Sequence, residues 1–268
     1  EMLRSLVGSE MCIRDSTYSE ERQVVAQELI DFDREWARMF SDRPRHEEEG
    51  GAAAGVDPKA FQAYFEQHGR FTAGVGTHYR PSLICGESTH QNLATGFVIG
   101  TRLHSAPVLR VSDARPVHLG HAGKADGRWR LYAFAGANDL QDRQAGIHAL
   151  CEFLSQSHDS PVRRHTRPGQ DVDAVFDVLA IFQQRYTEVA IDRLPGLLLP
   201  PKGRFGLRDY EKVFCPDFKH GPDVFDLRGI DRAQGALVVV RPDQYVAHVL
   251  PLAAHAELAA FFRRFMLD

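Results

Sequence analysis

Residues 236 to 250, ALVVVRPDQYVAHVL, decide how the fold is read. Two apolar runs flank Arg241-Pro242-Asp243-Gln244, and both are rich in valine, whose branched side chain suits a pleated strand. Pro242 pre-sets the first central torsion of a tight turn, so the segment reads as an antiparallel hairpin. Pro251 then introduces a segment with Leu258, Phe261, Phe262 and Phe265 on one helical face. A hairpin followed at once by a helix is the closing half of a sheet-and-helix unit.

The opening half lies upstream. Residues 107 to 111 (PVLRV) read as a strand, as do residues 129 to 135 (WRLYAFA), which follow the turn Ala125-Asp126-Gly127. Ile147, Leu150, Cys151 and Leu154 mark an amphipathic helix. Residues 172 to 182 (VDAVFDVLAIF) are β-branched and aromatic, and read as a buried strand. TEVAIDRLP suggests a short helix ended by Pro195. The order β-α-β-α-β-β-α predicts an α/β domain with a mixed central sheet on a thioredoxin-like plan.

Ahead of this domain, Thr17-Tyr18-Ser19-Glu20 has the spacing of a capping box. A helix is expected from about Ser19 to Phe40, with Val25, Leu29, Phe32, Trp36 and Met39 forming one apolar stripe. The run HEEEGGAAAGVDP reads as a linker, PKAFQAYFEQH at 58 to 68 as a short helix, and FTAGVGTHYRPS as an irregular connection. The first sixteen residues have no periodicity. Met11-Cys12-Ile13-Arg14-Asp15-Ser16 back-translates as ATG TGT ATA AGA GAC AGN, which resembles a transposase end sequence used in DNA library preparation. Residues 1–16 are therefore expected to be non-native and to pack against nothing.

Composition limits function. The 268 residues are 43% hydrophobic and 25% charged with net charge -4, so no overall basic field favours nucleic acid. No apolar run approaches the ~20 residues that cross a bilayer, so no membrane partner is expected. The start also lacks the features of a signal peptide. Cys12, Cys85, Cys151 and Cys215 are widely spaced without a CxxC, which fits a reducing, cytoplasmic setting.

Candidate chemistry is sparse. Thioredoxin-type exchange needs a low-pKa thiolate at a helix start, whereas Cys151 sits on an apolar stripe and reads as a core thiol. Cys215, in VFCPD, is the better nucleophile candidate because Pro216 suggests a loop, but it has no resolving partner. His118-x-x-His121 offers two metal ligands; with nothing to complete four-coordination, incidental histidines on an edge strand or loop are the favoured reading. Gly74-Val75-Gly76 lacks the third glycine of a dinucleotide fingerprint. Tyr210 and Tyr245 read as packing residues. No catalytic, cofactor-binding or metal residue is assigned.

The segments TYSEERQVVAQELIDFDREW, FTAGVGTHY, ADGRWRLYAFA, KGRFGLRDYEKVFCPD and GIDRAQGALVVVRPDQYVAHVLPL resemble the class A FAD-dependent aromatic hydroxylases of the phenol 2-monooxygenase and 3-hydroxybenzoate hydroxylase group. The resemblance runs from Thr17 to Asp268. It implies that 17–70 is the closing helix and linker of the FAD and substrate domain, and that 71–268 is a thioredoxin-like C-terminal dimerisation domain. It also implies FAD and NADPH for the whole enzyme, which hydroxylates a ring beside a phenolic hydroxyl, and a homodimer. The family's GxGxxG strand-turn-helix and its substrate-pocket residues precede the TYSEER helix, so none of them is carried onto this chain. The fragment alone is expected to bind no cofactor, and the Val25, Leu29, Phe32 and Trp36 stripe to pack on the FAD domain. The alternative is a free-standing thioredoxin-like redox or binding protein, which the missing CxxC and the stranded helix disfavour.

Overall fold

The computed structural model describes residues 17–41, 62–64, 66, 69, 73–144, 146–219 and 221–267. The expectations for residues 1–16, Cys12, the linker and the Met39 side chain lie outside them. The chain divides into two compact units, Glu1–Ser82 and Leu83–Asp268.

In the first unit a π-helical turn, Ser19–Gln23, runs into helix α1 (Val24–Ser41). Residues 17 and 18 are already helical, and Tyr18 makes no side-chain cap at φ -64° and ψ -47°. A capping residue needs extended backbone, so Thr17, which is already helical, lies within the helix and not at the start expected of it. Phe32 and Trp36 stack with centroids 5.8 Å apart, and Tyr64 stacks on Phe32 at 5.9 Å. Leu29, on the same stripe, stays 54% exposed. Of the helix expected over 58 to 68, residues 62–64 and 66 are helical.

The second unit is built on strands β1 (Pro107–Arg110), β2 (Arg115–His118), β3 (Trp129–Phe134) and β4 (Phe176–Ile181). A small hairpin, β5 (Pro201–Lys202) and β6 (Leu207–Arg208), precedes β7 (Val213–Pro216), β8 (Ala236–Val240) and β9 (Val246–Leu250). Helices α2 (Leu119–Ala122), α3 (Gly146–Gln156), α4 (Pro161–His165), α5 (Val224–Leu227) and α6 (His255–Arg263) intervene. The sheet order is β2-β1-β7-β4-β3-β8-β9. β3 and β4 run parallel with Trp129 opposite Phe176, and β8 and β9 continue antiparallel. The sequence β3-α3-β4, then β8-β9-α6, is the thioredoxin-like plan, extended beyond β4 by β7, β1 and β2.

Each face of the sheet carries its own core. On one, Ile147, Leu150 and Leu154 of α3 and Leu258, Phe261 and Phe262 of α6 cover Leu131, Val178 and Val239. On the other, Leu93, Phe97 and Phe225 cover Phe134, Leu179 and Val238. Alternation along the strands sends successive side chains to the two cores, so the central strands are apolar almost throughout. The decisive hairpin forms as expected. Gln244 donates its N–H to the Arg241 carbonyl at 2.9 Å and takes φ 68°, while the Asp243 carboxylate accepts from the Arg241 guanidinium at 2.7 Å.

Four local expectations change. The strand expected from residue 172 begins at Phe176, because Ala174 N–H closes a turn onto the Asp171 carbonyl at 2.9 Å. TEVAIDRLP yields only the 3-10 turn Ile191–Arg193, which Pro195 cannot extend. Tyr210 is 47% exposed and does not pack, unlike Tyr245 at 9%. Cys215 lies in β7 and not in a loop; Pro216 ends that strand opposite Val108, a position at which a missing N–H is tolerated.

Candidate functional site

Ligands and reactive groups of open α/β sheets gather beyond the carboxyl ends of the parallel strands. Here β3 and β4 end at Phe134 and Ile181, and residues 135 to 145, AGANDLQDRQA, lead to α3 without a cysteine. Asp139 is buried, and its carboxylate accepts the N–H groups of Gly136 at 3.0 Å and Ile147 at 3.3 Å. Gly146 holds φ 52°, and a Cβ there would fall 2.0 Å from Asp139 Oδ1. The positive end of α3 is thus filled by the chain's own carboxylate. Beside it lies a cleft of about 400 Å³ whose lining includes Arg143, His148, Glu188 and Arg193. Burial, then the Arg143 charge, pushes the His148 pKa below its ordinary value. Among the described residues, no cysteine, serine, threonine or lysine lines this cleft.

Cys85, Cys151 and Cys215 are buried. Burial pushes the Cys151 thiol up to about 12. It does the same for Cys215, also to about 12, despite a hydrogen bond from the Tyr186 backbone. Both shifts favour the protonated thiol at neutral pH, which weighs against Cys215 as a nucleophile. His118 closes edge strand β2 and His121 lies on α2, their rings 5.7 Å apart. Among the described residues, no group of three or more His, Cys, Asp or Glu side chains is arranged to hold a metal.

Charge is concentrated at the other end of the parallel strands. Arg130 and Asp177 are cross-strand neighbours, joined by an ion pair of 3.2 Å. Lys212 is bound by both Asp177 and Asp173, the latter at 2.6 Å. Asp173 also accepts Lys202 at 2.6 Å and Arg128 at 3.2 Å, while Asp126 accepts Arg128 at 2.6 Å and Arg130 at 2.8 Å. Burial would raise the Asp173 carboxyl, but its bonds to Lys202 and Lys212 outweigh that and hold it below the usual range. Asp126 is treated alike, with Arg128 and Arg130 overriding burial. Burial alone would lower Lys212, yet Asp177 and Asp173 raise it. A cleft of about 280 Å³ opens on this cluster, between Arg110, Lys124, Asp209 and Glu211. Its inner charges pair with one another, so the arrangement ties strands and loops together.

The surface carries the remaining signal. The β5–β6 hairpin leaves Phe205 79% and Leu207 71% exposed, although the hairpin itself is firmly tied down. Lys202 is held by Asp173, Gly203 N–H donates to Asp171 Oδ1 at 2.9 Å, and Arg208 donates to the Leu199 carbonyl at 3.0 Å. Arg204 lies over the Phe205 ring at 5.1 Å. A pre-organised arm that holds two large apolar side chains in water is an interaction feature.

The profile of the family described as phenol hydroxylase, C-terminal dimerisation domain, matches residues 77–268. The chain belongs to that family. It is 68% identical over 251 residues to 3-hydroxybenzoate 4-monooxygenase of Comamonas testosteroni, a match covering 93% of the chain and 39% of that protein. It is 33% identical over 271 residues to the FAD-dependent monooxygenase terD of Aspergillus terreus, covering 99% of the chain and 43% of the relative. The chain therefore spans less than half the length of these relatives. The crystal structure of the flavin-dependent monooxygenase PieE, in complex with FAD and substrate, has a TM-score of 0.50 at 16% identity; the match covers 98% of this chain and 41% of that one, and shows a shared fold. In this phenol hydroxylase dimerisation-domain chain, the reading from sequence missed the arm and the ion cluster. Both left traces: Gly203 and Gly206 bracket Phe205 after Pro200-Pro201, and Asp173 and Asp177 interrupt an otherwise apolar run four residues apart.

Proposed function

We propose that the chain is the C-terminal part of a FAD- and NADPH-dependent monooxygenase that hydroxylates a phenol or hydroxybenzoate ring beside its hydroxyl. In this reading the chain provides structure and homodimer contact, and no catalytic group. The observation that carries it is the 68% identity over 251 residues to 3-hydroxybenzoate 4-monooxygenase. Residues 17–70 then end the FAD and substrate domain, residues 71–268 form the dimerisation domain, and the enzyme works in the cytoplasm. The Val25, Leu29, Phe32 and Trp36 stripe receives the FAD domain, a role that the 54% exposure of Leu29 supports. In this reading the described residues do not themselves hold the flavin dinucleotide, which one feature of the second unit supports. The start of α3, where a pyrophosphate would sit in a sheet-and-helix unit, is filled by Asp139.

The test is expression of the reading frame extended upstream of the Thr17 codon, beside the present chain. The extended protein should purify yellow and oxidise NADPH when given 3-hydroxybenzoate, and the present chain should do neither. A colourless extended protein inert toward phenols, or flavin retained by the present chain, overturns the proposal.

A further inference from the structure

We infer that the β5–β6 arm is a principal subunit contact, and that Phe205 and Leu207 are buried against a second copy of this chain. The inference rests on the homodimer proposed above and adds the surface through which it forms.

Three observations lead to a second copy. First, the arm falls inside residues 77–268, the segment matched by a family described as a dimerisation domain. Second, the sheet edges are closed to strand-to-strand pairing. The Leu119 N–H bonds to the Ala106 carbonyl, so alternation makes Val108–Val117 and Arg110–Arg115 the bonded pairs of β1 and β2. The outer edge of this four-residue strand therefore falls to Pro116, which has no N–H to offer, and to His118, where the strand already gives way to α2. At the opposite edge, Val246 exchanges bonds with Gly100 and Thr101, and the Ala247 carbonyl accepts Gly86. Third, Phe205 and Leu207 are the most exposed large apolar side chains of the second unit, and the arm is already ordered. Little conformational entropy is lost when such side chains are covered, which is the property of an anchor. The Lys202–Asp173 pair ties the arm to the buried ion cluster, so the contact is held by the sheet and not by a loose loop.

The experiment uses the full chain. Phe205→Asp with Leu207→Asp is compared with the unchanged protein and with Leu227→Asp, an exposed apolar control elsewhere. Each is followed by sedimentation velocity over a concentration series, with near-ultraviolet circular dichroism to establish folding. The double variant should keep its fold and weaken the dimer at least about tenfold, while the control stays dimeric. In parallel, a benzophenone amino acid placed at position 205 should cross-link to peptides of a second copy. A dimer that survives the double variant and gives no such cross-link overturns the arm but leaves the homodimer standing. A monomer across the series removes the homodimer itself, and the arm with it.

Discussion

Lys212 is a buried cation shared between Asp173 and Asp177. Lys212→Met would leave two buried carboxylates short of their partner, and should cost about 3–5 kcal/mol of stability, measured as a fall in the urea midpoint. The pH dependence follows from the directions of the shifts. Asp173 and Asp126 have lowered folded pKa values, so the stability they contribute is complete above the ordinary carboxylate value of about 4 and fades as pH falls through their folded values. Lys212 is raised, so its contribution is complete below about 10.4 and fades as pH climbs through its folded value. Burial lowers His248 and His255, so stability begins to fall below about pH 6.5, where unfolded rings take up protons that the folded ones refuse. Burial raises Cys151 and Cys215, so their contribution is complete below about 8.5 and fades above it, where unfolded thiols lose protons that the folded ones keep. Melting temperature should thus be flat from about pH 7 to 8.5, decline above that, sag below 6.5 and drop below 4. Asp173→Asn should flatten the last limb. Iodoacetamide at pH 8 should leave Cys151 and Cys215 unmodified in the folded chain and alkylate both in urea, as read by peptide mass; early labelling of Cys215 would restore it as a nucleophile.

Elements built on dense local signals were legible in the sequence. The hairpin of β8 and β9, strand β3 and helices α3 and α6 each present an unbroken apolar period, and each is found where that period falls. The elements missed are short and depend on distant partners. β7 has four residues and gains its identity by sitting between β1 and β4, which no local pattern could state. The turn at residues 171 to 174 replaces strand because Asp173 is taken by Lys202 and Lys212 from elsewhere in the chain. Of the candidate site, the wide cysteine spacing without a CxxC was legible, whereas the arm depends on exposure, which sequence does not record. Two tests address elements directly. Phe262 lies 4.7 Å from Phe176 and 5.1 Å from Trp129, so Phe262→Ala should cost about 3–5 kcal/mol and shift Trp129 fluorescence. Gly235 holds φ 72°, and a Cβ there would fall 2.3 Å from the Phe134 carbonyl oxygen, so Gly235→Ala should destabilise β8 by more than about 1 kcal/mol in urea unfolding.

At the level of the whole molecule, the two units should respond differently to the rest of the proposed parent enzyme. Leu29→Asp replaces an exposed side chain and should shift stability of the present chain by no more than about 0.5 kcal/mol. In the extended protein the same change should lower the melting temperature by several degrees; equal behaviour in both would remove the proposed role of the stripe. The closure at the start of α3 reaches further. A protein engineer who grafted a Cys-x-x-Cys pair into residues 135 to 145 would place thiolates beside Asp139, whose negative charge raises their pKa and slows attack. Removing Asp139 would strip the partner from Gly136 and Ile147 and loosen the helix that carries the new thiols. A thiol pair at this helix start is thus opposed by stability itself, and a lineage that starts from this architecture can alter its outer surfaces far more readily than it can install such a pair here.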